Sequence, residues 1–149
     1  MPGADLCWAM RDSGKLSLMI VEDDVNLRFV FEAAARRAGI FEPIALAVDG
    51  QAALDALRAS DAATLPALIV SDLSMPRMTG LDLLRAVKND ATLRTIPIAI
   101  ITSSDNPNDR DLALAAGACS FVSKPYGIDA LTKALLALRE HSSGKEASG

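Results

Sequence analysis

Five short apolar runs alternate with amphipathic stretches along the chain, and this alternation constrains the fold more than any other feature. We predict strands at Leu16–Val21, Ile44–Val48, Leu65–Val70, Ile96–Thr102 and Ser120–Val122. We predict helices at Asn26–Ala38, Gln51–Ser60, Leu81–Asn89, Pro107–Ala116 and Ile128–Arg139. Apolar strands that lack polar alternation are buried on both faces, which indicates a parallel sheet. Right-handed crossovers then predict an α/β fold, a doubly wound (βα)5 three-layer sandwich.

The composition agrees with this architecture and argues against several classes of protein. Half of the residues are apolar but aromatic residues make up only 4%, so the core must consist of aliphatic side chains packed between helices and a sheet. The net charge is −4 and no dense basic cluster is present, which argues against direct nucleic-acid binding. No apolar run approaches the roughly 18 residues of a membrane helix, so we expect no membrane association. Neither cysteine lies in a metal or redox spacing and no disulfide is expected, so we expect a reducing, cytoplasmic location.

The chain divides into three segments on composition. We predict an N-terminal extension over residues 1–15, one domain over residues 16–140, and a polar tail rich in Ser, Gly, Lys and Glu over residues 141–149. No segment typical of a second domain follows the last predicted helix. Any output is therefore expected to be a contact with another protein.

Charged and hydroxyl side chains follow four of the five predicted strands. They are Glu22, Asp23, Asp24, Asp72, Thr102, Ser103, Ser104 and Lys124. In an open parallel sheet, ligands bind beyond the carboxyl ends of the strands, so these residues are expected to converge. Each of them alone has a simpler interpretation, as a helix cap, a loop residue or a strand end. Their placement after four different strands favours a shared site.

The residue types indicate the chemistry of that site. Clustered carboxylates raise one another's pKa unless a cation neutralises them, and oxygen ligands without His or Cys indicate magnesium. Magnesium suggests phosphate, and an aspartate can attack phosphorus to form an acyl phosphate. Lys124 and the Thr102 hydroxyl are then available to stabilise charge on the phosphoryl oxygens.

Four segments of the sequence resemble the response-regulator receiver domains of two-component signalling. They are MIVEDD, LIVSDLSMPRMTGLDLL, IPIAIITSS and GACSFVSKP, and the resemblance extends over Leu16–Leu138. It implies a flavodoxin-like fold with a parallel sheet of strand order 2-1-3-4-5. It also implies a phosphoprotein that acts as a signalling switch and not as an enzyme, beyond catalysing its own phosphotransfer and autodephosphorylation.

The resemblance implies a role for each residue that matches the family's motifs. Asp72 would be the phosphoacceptor, assisted by Thr102 and Lys124. Magnesium would be bound by Glu22, Asp23, Asp72 and the backbone carbonyl of Ser74.

It further implies the parts of a switch. Thr102 would move towards the phosphoryl group and Phe121 would turn inward behind it. The peptide bond before Pro125 would be cis.

The resemblance also predicts partners. The segments NDATLRTIP and TSSDNPND are similar to those of stand-alone receivers paired with phytochrome-type histidine kinases. We expect phosphotransfer from a sensor histidine kinase or a histidine phosphotransfer protein, which would dock on Val25, Asn26, Phe29 and the loop Tyr126–Gly127. A homodimer through the fourth helix, fifth strand and fifth helix is also expected.

Two alternatives belong to other functional classes. A receiver-fold interaction or dimerisation module could work without phosphate, although such proteins usually lack an acid, the acceptor or the lysine, and all are present here. A haloacid-dehalogenase-type phosphatase would also form an aspartyl phosphate. It would need DxDx[TV] after the first strand, and MIVEDDVN does not match.

Overall fold

A computed structural model describes residues 15–104, 106–125 and 127–139, and strands and helices alternate along them. The strands are β1 (Leu16–Val21), β2 (Phe41–Ala47), β3 (Leu68–Ser71), β4 (Ile98–Thr102) and β5 (Ser120–Ser123). The helices are α1 (Val25–Ala38), α2 (Gly50–Ala59), α3 (Gly80–Lys88), α4 (Pro107–Ala115) and α5 (Ile128–Leu138). The predicted extension at residues 1–15 lies outside the described residues except for Lys15, and so does the predicted tail at residues 141–149.

The strands form one parallel sheet in the order β2-β1-β3-β4-β5, which confirms the predicted topology. Strands β1, β3 and β4 are buried along their whole length, because helices cover both faces of the sheet. Val21 at the end of β1 pairs with Ser71 at the end of β3. The chain therefore leaves these two strands side by side, at the same edge of the sheet.

Alternate strand residues supply two separate core layers. Met19 and Ile69 pack on the face covered by α2, α3 and α4. Ile20 and Val70 pack on the opposite face, covered by α1 and α5. None of the helices in the described part of the chain is long and apolar enough to cross a membrane.

Prolines explain why two strands begin later than the sequence predicted. β3 begins at Leu68 and β4 at Ile98, each soon after Pro66 or Pro97. Proline has no amide hydrogen to donate to a neighbouring strand, so regular pairing starts beyond it. β2 instead begins earlier than predicted, at Phe41, which pairs with Leu16 before a shift in register.

The predicted cis peptide bond before Pro125 is wrong. Among the described residues, the cis peptide bond precedes Pro43, at Glu42. A trans bond is favoured before proline by about 0.5–1 kcal/mol unless the surroundings select the other isomer. Here the Lys124 amide donates to the Thr102 carbonyl at 2.8 Å, and its ammonium group still reaches the site described below.

Candidate functional site

Three carboxylates meet at the carboxyl edge of the sheet. Glu22 and Asp72 directly follow β1 and β3, and the Asp72 amide donates to the Val21 carbonyl at 3.1 Å. Glu22, Asp23 and Asp72 each offer a carboxylate oxygen, and these oxygens lie within 4.8 Å of one another. Glu22 and Asp72 are buried while Asp23 is exposed, so the acidic group opens to solvent on the Asp23 side.

Lys124 supplies the positive charge that balances this group. Its Nζ lies 3.1 Å from Asp72 Oδ2 and 3.2 Å from Glu22 Oε1, and its side chain is only 17% exposed. Burial disfavours the ammonium form, but hydrogen bonds and charge from Asp72 and Glu22 outweigh burial and raise the pKa of Lys124. Lys124 is therefore an ammonium group throughout the physiological range.

Glu22 has an unfavourable environment for its negative charge. Burial raises the pKa of its carboxyl group, and the neighbouring charge of Asp72 raises it further. The Asp24 amide and Lys124 lower it, but by less than the first two effects raise it. One ammonium group thus does not fully balance the buried carboxylates, and an additional cation would be favoured here.

Backbone contacts fix the direction of the acidic loop. Asp24 caps α1 by accepting from the amides of Asn26 and Leu27 at 2.8 and 3.1 Å. Arg28, from the first turn of α1, donates to the Glu22 carbonyl at 2.8 Å. The Asp24 amide donates to Glu22 Oε2 at 3.2 Å. The loop is therefore held in one conformation before any ligand binds.

The loop that follows Asp72 folds back, so that Gly80 lies against the backbone of Asp72. Asp72 Oδ1 accepts from the Leu73 amide at 2.7 Å, and the Gly80 amide donates to the Leu73 carbonyl at 2.9 Å. A Cβ atom at position 80 would overlap the Asp72 carbonyl oxygen. Only glycine fits so close to the backbone of Asp72.

The Thr102 hydroxyl is fully buried at the end of β4, and it accepts from the Ser104 amide at 3.3 Å. The Ser104 hydroxyl in turn donates to Asp109 in α4 at 2.5 Å. The structure thus links the end of β4 to the start of α4. Ser103 is exposed between these two residues.

The structure also describes Phe121 and Ser74, two further residues to which the resemblance assigns a role. Phe121 is half-buried and packs against the core layer under α2, α3 and α4. Ser74 is exposed, and its proposed carbonyl ligation stays a prediction. Tyr126 lies outside the described residues.

The expected docking residues on α1 are exposed. Phe29 is 72% exposed and Val25 64% exposed, as expected for a contact surface. Beside them lies an apolar groove of about 440 Å³ between α1 and α5. Its lining consists of Leu27, Phe29, Val30, Phe31, Ala33, Lys124, Pro125, Gly127, Ile128 and Leu131. Lys124 therefore lines the groove and also contacts the acidic group.

A family model for the response regulator receiver domain matches residues 18–136. The chain belongs to the response-regulator receiver family. This receiver is 30% identical over 131 residues to Response regulator Rre1 of Synechocystis sp., covering 86% of this chain and 54% of the relative. It is 31% identical over 111 residues to Chemotaxis protein CheY1 of Helicobacter pylori, covering 74% of this chain and 86% of that protein. The receiver thus spans about half the length of Rre1 and most of CheY1.

Solved structures share the fold of this receiver. The phosphorylated cyanobacterial phytochrome response regulator RcpA is similar with a TM-score of 0.74 and 23% identity, over 85% of this chain and 92% of that chain. The chemotaxis response regulator CheY4 of Vibrio cholerae is similar with a TM-score of 0.71 and 26% identity, over 83% of this chain and 98% of that chain.

Several contacts of the receiver site were not predicted from the sequence. Arg28 holds the acidic loop, Asp109 holds Ser104, and Arg77 pairs with Asp49 beside the loop that follows Asp72. A basic residue one turn after a helix cap is a weak signal for the first contact. The other two join residues whose proximity depends on the tertiary fold or on an irregular loop.

Proposed function

We propose that this receiver accepts a phosphoryl group on Asp72 and that the modification changes the surface it presents to other proteins. The position of the Asp72 carboxylate carries the proposal. It is buried, pairs with the Lys124 ammonium group, and lies within the acidic group that includes Asp23. A capping or loop carboxylate would need none of these neighbours.

The proposed step is transfer from a phosphohistidine. A carboxylate oxygen of Asp72 attacks phosphorus, so that a P–O bond forms while the P–N bond breaks. The electron pair of the broken bond stays on the imidazole nitrogen, which takes a proton from solvent. Lys124, held as an ammonium group by its carboxylate neighbours, pairs with the phosphoryl oxygens as their charge shifts. Hydrolysis of the acyl phosphate by water would reset the switch.

The residues present fit a magnesium ion. The carboxylates are hard oxygen ligands at compatible separations, and burial, followed by the neighbouring Asp72 charge, raises the pKa of Glu22 despite the nearby Lys124 ammonium group. We propose that Asp23 and Asp72 bind the ion, that Glu22 assists, and that the Ser74 carbonyl completes the protein ligands. When bound, the ion neutralises charge on the transferring phosphoryl group.

The proposed phosphate donor is a sensor histidine kinase or histidine phosphotransfer protein that docks on α1 and the groove beside α5. The exposed Phe29 and Val25 and the apolar lining of the groove support this proposal. The segments that flank β4 resemble those of receivers paired with phytochrome-type kinases. We therefore propose a kinase of that type as the donor. We also propose a cytoplasmic location, where a kinase of this kind has its phosphohistidine.

The output surface is proposed to be the face formed by α4, β5 and α5. Thr102 would leave its hydrogen bond to the Ser104 amide, and Phe121 would move into the space vacated. Leu112 and Leu114 on α4 are 47% and 41% exposed, which supports pairing of two copies through this face. No direct binding to nucleic acid or membrane is proposed.

The experiment that tests the proposal uses acetyl phosphate and Mg²⁺ as donor and cofactor. Intact-mass spectrometry should detect one added phosphoryl group on the wild-type chain and none on Asp72→Asn. Asp55→Asn, on the exposed face of α2, is a matched control and should be labelled like wild type. Labelling that persists in Asp72→Asn would identify a different acceptor and overturn the proposal. Labelling that never appears in wild type would favour the phosphate-independent interaction module instead.

A further inference from the structure

The loop after Asp72 has a strained turn at its far end. Arg77 has a φ of 66°, a backbone angle that residues other than glycine rarely adopt. The Met78 amide donates across it to the Pro76 carbonyl at 2.7 Å, which closes a tight three-residue turn. Such a conformation persists only where the surroundings hold it. The loop between Leu73 and Thr79 therefore depends on contacts beyond its own sequence.

An ion pair holds this turn against the neighbouring βα connection. Arg77 Nη2 lies 3.0 Å from Asp49 Oδ2, while Asp49 Oδ1 accepts from the Ala52 amide at 2.7 Å and caps α2. The hydrogen bond from the Ala52 amide, and after it the one from Arg77, hold the pKa of the Asp49 carboxyl group below its usual value. The Asp49 side chain is 14% exposed, so it is a fixed anchor for the far more exposed Arg77.

Packing brings the same two segments together. A Cβ atom at position 50 would lie 2.8 Å from Met78 Cγ and 2.9 Å from the Met78 carbonyl oxygen. The turn at Arg77 therefore rests on the N-terminus of α2. Just after this turn, at Gly80, the chain comes back against the backbone of Asp72 and Leu73, where the loop began.

We propose that the Arg77–Asp49 ion pair is a positioning contact for the metal and phosphorylation site. It holds the strained turn, and through it the backbone from Asp72 to Ser74, in the conformation that binds the divalent cation. This inference rests on the proposed function, because it concerns that same site. Exposed ion pairs usually contribute little, but this one has a rigid anchor and opposes backbone strain.

The charge of Arg77 makes the test discriminating. Removing a positive charge from the protein should strengthen the binding of a metal cation if only electrostatics matters. Removing a positioning contact should weaken it. We therefore expect Arg77→Ala to raise the Mn²⁺ dissociation constant about tenfold, the lower end of the effect of losing a contact that supports metal ligands. Arg77→Lys should recover most of the affinity because it restores the ion pair.

Arg77→Gly separates strain from charge. Glycine adopts a positive φ without strain. This variant therefore loses the ion pair, but it also relieves the backbone strain that the ion pair opposes. Its Mn²⁺ affinity should lie closer to that of wild type than the affinity of Arg77→Ala does. Arg37→Ala is a matched control, because Arg37 pairs with Asp129 at the same 3.0 Å with no strained backbone. It should bind Mn²⁺ like wild type.

Hydrogen exchange of the metal-free protein tests the inference separately from the proposed function. The Met78 and Gly80 amides, which close the turn and the loop, should exchange faster in Arg77→Ala than in wild type. Arg77→Ala with wild-type exchange, or with unchanged or tighter Mn²⁺ binding, overturns the inference. If wild type binds no Mn²⁺ and takes no phosphoryl group, the proposed function fails, while the exchange result still decides whether the ion pair holds the loop.

Discussion

Lys124 Nζ lies nearly midway between Asp72 Oδ2 and Glu22 Oε1, at 3.1 and 3.2 Å. One ammonium group is thus shared by the proposed phosphoacceptor and a carboxylate of the metal group. A phosphoryl group on Asp72 would compete with Glu22 for it. Lys124 is therefore positioned to respond to phosphorylation as well as to assist it.

Lys124→Ala should separate phosphate acceptance from switching. Labelling by acetyl phosphate should continue at a rate reduced about a hundredfold, since one charge-stabilising donor is lost. Hydrogen exchange over α4, β5 and α5 should then be the same before and after labelling. Lys15→Ala removes a half-buried lysine that pairs with the exposed Glu42, and it should behave as wild type. A normal change in exchange after labelling of Lys124→Ala would refute its role in switching.

Ionisation of Glu22 should make the metal-free protein less stable as pH rises. Its pKa in the folded chain lies above the ordinary value of 4.5, because of burial and then the Asp72 charge. Between these two values the folded state binds more protons than the unfolded state. The free energy of unfolding therefore decreases as pH rises through that interval.

Urea denaturation across this pH range checks the prediction. Glu22→Gln should remove the decrease, while Glu42→Gln, at an exposed site, should retain it. Mg²⁺ should stabilise the wild type more at neutral than at acidic pH, since its ligands must be ionised. A Glu22→Gln variant with the wild-type pH dependence would rule out Glu22 as the group responsible.

Phe29→Ala should impair phosphotransfer from a protein donor but not from a small molecule. Phe29 is exposed on α1 and lines the groove, so its loss should matter only when a partner docks. With a kinase that phosphorylates wild type, we expect the transfer rate to fall about tenfold. Acetyl phosphate labelling should not change. Leu114→Ala, at an exposed apolar position on α4, is the control, and an equal effect there would contradict the docking site.

Gly80→Ala should disturb Asp72 directly. Its methyl group would overlap the Asp72 carbonyl and crowd the Leu73 backbone, so we expect a loss of about 1–3 kcal/mol in the free energy of unfolding. Acetyl phosphate labelling should also slow. Gly39→Ala, at a positive φ with no atom close to the added Cβ, should reduce stability without changing the labelling rate. Normal labelling of Gly80→Ala would contradict the close fit.

Hydrophobic patterning predicted the fold, and the rule that ligands bind beyond the carboxyl ends of parallel strands predicted the centre of the site. β1 was predicted to the residue at both ends, because Leu16–Val21 is a continuous apolar run closed by carboxylates. Asp72 and Lys124 were brought together as expected, because parallel strands end at one edge of the sheet.

Contacts that depend on loop geometry were not predictable in the same way. No sequence pattern distinguishes Arg77, and its pairing with Asp49 occurs in a turn of positive φ that hydrophobic patterning does not predict. The isomer at Pro125 was predicted from resemblance alone, and the structure differs. The link from Thr102 through Ser104 to Asp109 required the positions of three side chains.

Lys124 forms part of the wall of the α1–α5 groove as well as the acidic group. A family of such chains could not diversify that wall freely, because any replacement would remove the ammonium group from Asp72. Changes in partner choice would have to accumulate on the opposite side of the groove, at positions such as Phe29 and Val30. An engineer who wished to redirect this chain to a new kinase should therefore randomise α1 and leave the end of β5 untouched.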